Sequence, residues 1–172
     1  MKKLGLLLIS LGMIPVTTLK GESMKLMSQA FKHGERLPKK YSCEGDEISP
    51  DLQWSEVPSG TKSLTLIVDD PDAPGGTWVH WVVYTIDPTV TGLSEGAQII
   101  KPMQQGINSS NQIKYQAACP PKGHGTHHYY FTLYALDTTL NLNDGATKQA
   151  VMQAMENHIL NKATLMATYE RH

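Results

Sequence analysis

The clearest pattern in the chain is a short apolar run, Leu64-Thr65-Leu66-Ile67-Val68, set between Gly60-Thr61 and Asp69-Asp70-Pro71. Five apolar or β-branched residues bounded by turn residues predict a buried strand ending in a sharp turn, with Asp70 emerging at its carboxyl end. A second strand is predicted over Val79-His80-Trp81-Val82-Val83-Tyr84-Thr85-Ile86, which is rich in β-branched and aromatic residues and closed by Asp87-Pro88. Simple alternation along it places His80 on one face with Val82, Tyr84 and Ile86. The third strand, His127 to Leu136, carries the most informative parity. His127, Tyr129, Phe131 and Leu133 point one way, and His128, Tyr130, Thr132 and Tyr134 the other.

Around these strands the periodicity is weaker. Met24 to Ile48 is broken by Gly34, Pro38 and Gly45, so extended and turn structure is expected. Thr89 to Lys122 holds scattered glycines, Asn108, Asn111 and the Pro120-Pro121 pair, which predicts long loops with few regular elements. Loops carried on a rigid sheet are where ligands usually bind. Near the end, Val151, Met155 and Ile159 recur every fourth residue behind Asn143 or Asp144, predicting a capped helix running to about Leu160. Ala163 to Tyr169 is expected to be one more extended segment, packed over the sheet. No repeat and no second domain is evident.

The first residues differ in kind. Met1-Lys2-Lys3 leads into the apolar stretch Leu4 to Ile14, the pattern of a secretory signal, with Gly21-Glu22-Ser23 offering small residues before a cleavage that leaves Met24 first. The expected organisation is a signal peptide over 1–23 and one domain over 24–172, hence a periplasmic or secreted protein. If translation instead starts at Met24, the protein is cytoplasmic. The apolar stretch is shorter than the ~20 residues of a membrane span.

Composition narrows the function classes. The 172 residues are 40% apolar, enough for an ordinary core, and 15 Lys+Arg against 16 Asp+Glu give a formal charge of -1. Nucleic-acid binding by a polybasic surface is excluded, so any taste for a charged ligand must come from a local site. The two cysteines, Cys43 and Cys119, fit either compartment. Exported, they can form one disulfide, and in cytosol they would be buried or pocket-lining thiols.

Three segments hold the candidate chemistry. In Asp70-Pro71-Asp72-Ala73-Pro74 the prolines push Asp70 and Ala73 toward extended geometry, giving a stiff turn in which Ala73-Pro74 is a candidate cis peptide. Trp78-Val79-His80-Trp81 places one histidine in an apolar strand. Cys119-Pro120-Pro121-Lys122-Gly123-His124-Gly125-Thr126-His127-His128-Tyr129 feeds a glycine-rich loop into a strand whose parity projects His127 and Tyr129 together.

In order and separation these segments resemble the phosphatidylethanolamine-binding protein family, most closely its bacterial Raf-kinase-inhibitor-like branch. The similarity runs from about Met24 to the C-terminus and includes Tyr41-Ser42-Cys43-Glu44-Gly45, Ser49-Pro50-Asp51-Leu52-Gln53-Trp54 and Tyr134-Ala135-Leu136-Asp137. It implies a mainly β, single-domain fold with antiparallel Greek-key sheets and a C-terminal helix. It also implies a pocket for phosphate-like anions or phospholipid head groups, and a protein partner of the kinase or protease type. Carried over by motif position, Asp70, His80, His127 and Tyr129 are the pocket's polar groups. Pro74, Trp78, Cys119 and Pro120 form its walls, and Asp72 supports it from outside. Ala117 stands where the family often has glycine, and His128 where eukaryotic relatives have arginine. By parity His128 faces away from the pocket.

This chemistry suits an oxyanion, since imidazole N–H and phenol O–H groups donate to phosphate oxygens. Asp70 is then expected to accept an N–H from His80 or His127 and fix that ring, so that binding weakens as pH rises past the histidine pKa. A binding protein without cofactor is favoured over two alternatives. One is a hydrolase using Cys119, His127 and Asp70, disfavoured because Cys119 abuts Pro120-Pro121 and not a helix N-terminus. The other is a metal site using His80, His127 and Asp70, with Asp72 as a further ligand, which lacks a His-x-x-x-His spacing.

Overall fold

The structure, a computed structural model, describes residues 23–172. The expected signal peptide over 1–23 therefore lies outside the described residues except for its last position. Among those described, no helix is long and apolar enough to cross a membrane. In chain order the elements are β1 (Lys25–Met27), a 3-10 turn (Lys39–Tyr41), β2 (Leu52–Ser55), β3 (Ser63–Asp70) and β4 (Trp78–Ile86). They continue with β5 (Gly92–Leu93), β6 (Gln104–Gln105), β7 (His127–Leu136), α1 (Lys148–Met155) and β8 (Ile159–Tyr169). The mainly β fold with one helix is as expected, and Thr89 to Lys122 contributes only the two-residue strands β5 and β6.

Two antiparallel sheets and the helix form three layers. The small sheet has the order β1-β2-β5 and the large one β6-β4-β3-β7-β8. The principal core lies between them, where Leu26, Leu52, Trp54 and Leu93 meet Leu64, Leu66, Val68, Phe131 and Leu133. On the other face of the large sheet, Ile67, Val82 and Tyr84 pack with Val151 and Met155 of α1. β3 is thus covered on both sides, which is why its sequence is an unbroken apolar run. β7 covers one side only, and its burial alternates residue by residue from His127 onward.

The faces of β4 do not follow simple alternation. Val68 pairs with Trp81 but Asp69 pairs with Val79, so His80 is the extra residue of a bulge. The bulge returns His80 to the face of Trp81 and Val83, opposite Val82 and Tyr84. A second irregularity, with Thr85 at φ 58°, brings Ile86 to the same principal-core face. The expectation that His80 shares a face with Val82 and Tyr84 is therefore corrected, because a bulge shifts the parity by one. The correction matters, since it places His80 on the same side of the sheet as His127 and Tyr129.

The C-terminal region also differs from the periodic reading. Thr147, and neither Asn143 nor Asp144, caps α1, its Oγ1 accepting from the Ala150 N–H at 3.1 Å. The helix ends at Met155, and Asn157 adopts φ 64°, a left-handed conformation that asparagine tolerates at helix ends. The expected extension to Leu160 is thereby cut short, and Ile159 opens a strand. β8 is hydrogen-bonded to β7 from Ile159↔Leu136 to Tyr169↔His127, so it extends the sheet instead of packing over it. The cis peptide among the described residues is Lys101-Pro102, and not Ala73-Pro74.

Candidate functional site

The site sits at one end of the principal-core face, where three strand ends meet. β3 delivers Asp70, β4 delivers Trp78 and the bulged His80, and β7 delivers His127 and Tyr129. The segment after β6 closes the side. It is latched along β4 by the Ser109 N–H on the Val79 carbonyl at 2.9 Å and the Gln116 N–H on the His80 carbonyl at 2.9 Å. Asn108 holds that loop in shape, its Oδ1 accepting from the N–H groups of Ser110 at 2.9 Å and Gln112 at 3.0 Å. The result is a pocket of about 180 Å³ with Asp70, His80, His127 and Tyr129 as its polar lining. Pro74, Trp78, Cys119 and Pro120 supply apolar wall.

Asp70 is buried, and each of its oxygens accepts a hydrogen bond. Its Oδ2 accepts from His127 Nδ1–H at 2.6 Å and its Oδ1 from the Asp72 N–H at 2.8 Å. His127 is held on both sides, because its Nε2 lies 2.8 Å from Nδ1 of His124. His124 reaches back through a loop whose flanking residues, Gly123 and Gly125, have φ of 72° and 90°, a region that favours glycine. On the opposite wall, His80 Nδ1–H donates to the Gln116 carbonyl at 2.8 Å, and the edge of its ring meets Tyr129 with centroids 5.2 Å apart. The Tyr129 hydroxyl is buried and has no hydrogen-bond partner among the described residues.

Burial dominates the electrostatics. It pushes the Tyr129 phenol well above its ordinary value, reinforced by the Asp70 charge, so the hydroxyl stays a donor. Burial likewise holds His80 below its ordinary 6.5, more than the nearby carboxylates Asp70 and Asp69 raise it. The unfolded chain then binds this proton more readily than the folded one. The contribution of His80 to stability is complete above about pH 6.5 and is lost as pH falls from there toward the folded-state pKa, at up to about 1.4 kcal/mol per pH unit. We expect His80→Asn, which keeps an N–H near the Gln116 carbonyl but does not titrate, to show a flatter fall in urea midpoint from pH 7 to pH 5 than wild type. Parallel profiles would show that His80 is not buried in its neutral form.

A family model described as phosphatidylethanolamine-binding protein matches residues 27–170. The chain belongs to the phosphatidylethanolamine-binding protein family. A UPF0098 protein of Chlamydia muridarum is 51% identical over 153 residues, covering 86% of this chain and 99% of the relative. The crystal structure of a phosphatidylethanolamine-binding protein homologue from Chlamydia trachomatis is 48% identical with a TM-score of 0.82, covering 87% of this chain and 99% of that one. That of E. coli YbcL is 34% identical with a TM-score of 0.83, covering 88% of this chain and all of the other.

In this family member the structure brings eight of the nine expected site residues to one pocket. Asp72 is the exception. Its Oδ2 accepts from the backbone N–H of His128 at 2.8 Å and from its Nδ1 at 2.7 Å, outside the pocket lining. The His128 hydrogen bond holds the Asp72 carboxyl below its ordinary value. His128 faces away from the pocket, as parity predicts. Cys119 is bonded to Cys43. The hydrolase alternative thereby loses its nucleophile, and the nitrogens of its supposed base are both committed. For the metal alternative, both His127 nitrogens are likewise committed, and among the described residues no group of three or more His, Cys, Asp or Glu is placed to hold a metal. The expected N–H donors toward a ligand are also corrected: the Nδ1–H of His80 and that of His127 are both spent inside the protein. Ala117, singled out in the sequence, completes the lining with Ala73 and Pro121 of the candidate segments, and with Gln116, which was not anticipated. Nor was His124, although its spacing three residues before His127, between two glycines, was a usable signal.

Proposed function

We propose that the protein binds a small phosphate-like anion, free or as a phospholipid head group, in the pocket between His80 and Tyr129. The observation that carries this reading is the Tyr129 hydroxyl. A buried hydroxyl left unpaired costs about 1–3 kcal/mol, and a pocket-lining donor of this kind is satisfied when an oxyanion enters. Size points the same way. About 180 Å³ is small beside the ~300–1,000 Å³ of pockets for drug-sized ligands, so a head group fits and acyl chains do not. Trp78, partly exposed, and Pro74 offer apolar surface for whatever the phosphate is attached to.

Tyr129→Phe is the direct test. A hydrogen bond to a charged group contributes about 1.5–3 kcal/mol, so phosphate affinity by calorimetry should fall roughly 10- to 100-fold. Because the hydroxyl has no partner among the described residues, the same variant should be at least as stable as wild type in phosphate-free buffer. Unchanged affinity would refute the reading.

We further propose that the mature protein is exported. The basic and apolar start of the chain supports this, and so does the Cys43–Cys119 bond, a type of link that persists in oxidising compartments. Expressed from Met1 in a bacterial host, the protein should reach the periplasm with a mass corresponding to residues 24–172. Cytoplasmic recovery of the uncleaved chain would contradict it.

A further inference from the structure

The hydrogen bonds around His80 determine which of its nitrogens can meet a ligand. The Gln116 carbonyl can only accept, so Nδ1 carries a hydrogen. In the neutral ring, Nε2 is then a lone pair, and it makes no hydrogen bond to the described residues. The groups that could change this are few. From β3 the charges of Asp70, which lines the pocket, and of Asp69, which is paired with Lys148 of α1, favour a cation. From β7 come His127, whose charge would disfavour it, and Tyr129, which stays neutral. The 109–119 segment adds the Gln116 carbonyl, whose hydrogen bond from Nδ1–H also favours the cation, and Cys119, which does not titrate in its disulfide. Burial of the ring favours the neutral form over these influences. Each Asp70 oxygen already accepts one hydrogen bond from within the protein, and a carboxylate has no donor to offer an anion. The Gln116 side chain is fixed too, its Oε1 accepting from Trp78 Nε1–H and from the Ser110 hydroxyl, each at 3.0 Å. The pocket therefore pairs a donor, Tyr129 O–H, with an acceptor, His80 Nε2.

An anion that can only accept hydrogen bonds meets half of this pair badly, since its oxygens would face the Nε2 lone pair. We propose that the pocket takes its anion together with a proton: the ligand is a phosphate that keeps a P–OH, which donates to His80 Nε2 while another of its oxygens accepts from Tyr129. This deepens the anion-pocket reading and rests on it. The ligand class that follows is inorganic phosphate or a phosphomonoester. Phosphodiesters, including phospholipids whose phosphate is a diester, have no P–OH at neutral pH and are disfavoured, so of the two sources proposed above this inference selects the free phosphate or monoester. His80 thereby acts as a specificity residue, and Gln116 as the positioning residue that fixes its tautomer.

Three probes test this on the full domain by calorimetry between about pH 6.5 and about pH 8.5: inorganic phosphate, methyl phosphate and dimethyl phosphate. Inorganic phosphate keeps a P–OH in both of its forms in this range, so its affinity should stay nearly constant. Methyl phosphate loses its P–OH above a second pKa of about 6, so its affinity should fall tenfold per pH unit, roughly 100-fold across the range. Dimethyl phosphate should bind weakly throughout. In the wild-type protein, nitrogen NMR should show His80 Nε2 without a hydrogen both before and after phosphate is added. In His80→Gln, whose amide can donate or accept, dimethyl phosphate should gain affinity relative to methyl phosphate. A parallel fall of inorganic and methyl phosphate with pH, or an imidazolium at His80 in the phosphate complex, would overturn the proposal while leaving the anion pocket standing. Failure of all three probes to bind at any pH would overturn the pocket itself and the proposal with it.

Discussion

Replacing Cys43 and Cys119 together by alanine is expected to destabilise the domain by about 4.5 kcal/mol, the chain-entropy value for a disulfide closing a loop of this size. The two cysteines are 76 positions apart, with Cα atoms 5.3 Å from each other. In the chain-entropy picture a 15-residue loop yields about 3 kcal/mol and a 100-residue loop about 4.7, and this one lies nearer the upper end. The bridge also has a local task. It ties the turn after the 3-10 helix to the pocket wall, alongside the Cys43 N–H on the Ala118 carbonyl at 3.0 Å. Arg171 secures the same wall from behind, its Nη1 donating to Cys119 Sγ at 3.2 Å and to the Pro120 carbonyl at 3.3 Å. The double variant should therefore lose phosphate affinity as well as stability, under conditions where it is still folded. Urea unfolding of the variant against oxidised wild type measures the first effect and calorimetry the second. A stability loss under about 1 kcal/mol would mean that the native contacts around Ala118 hold the wall without the bridge and that the chain-entropy estimate does not apply.

The way this site is assembled explains which parts of it the sequence could reveal. β7 was legible residue by residue because it has one buried face and no irregularity along its pairing with β3. Parity alone therefore put His127 and Tyr129 together and sent His128 outward. β4 was legible as a strand but not in its faces, since the bulge at His80 leaves no mark in a run of β-branched and aromatic residues. The helix was found but overextended. Val151, Met155 and Ile159 keep a four-residue spacing across a break that depends on the backbone of Asn157, and β8 pairing with β7 decides where the break falls. The pocket residue that escaped notice, Gln116, lies in a loop positioned by long-range contacts to β4, which no local pattern encodes. The family resemblance supplied the site's membership where local signals could not, since Asp70, His80 and His127 are each ordinary residues in ordinary contexts until the sheet joins them. It did not supply their hydrogen-bond directions. Those depend on the Gln116 carbonyl and on His124, and they change the chemistry offered to a ligand.

Asp70 is where the second large effect is expected. Its carboxylate and the His127 ring are both almost completely buried, and a buried donor left unsatisfied costs about 1–3 kcal/mol, so losing an acceptor that serves two donors costs about 3–5 kcal/mol. Asp70→Ala strands His127 Nδ1–H and the Asp72 N–H together, so a loss of that size is expected, equivalent to a drop in Tm of roughly 6–20 °C for a domain of this length. Asp70→Asn should behave differently. Its amide oxygen can still accept from the Asp72 N–H, while its amide nitrogen then faces His127 Nδ1 and can only donate. His127 can answer by moving its hydrogen to Nε2 and donating to His124 Nδ1, because the 2.8 Å contact between these rings is compatible with either direction. The chain of hydrogen bonds is thereby reversed and remains complete. The asparagine variant should lose only about 1–2 kcal/mol, the scale of exchanging a charged hydrogen bond for a neutral one. Nitrogen NMR of His127 reads the reversal directly, with the hydrogen on Nδ1 in wild type and on Nε2 in Asp70→Asn. Equal destabilisation by alanine and asparagine, or an unchanged tautomer, would show that Asp70 acts through its charge and not through the direction of its hydrogen bonds.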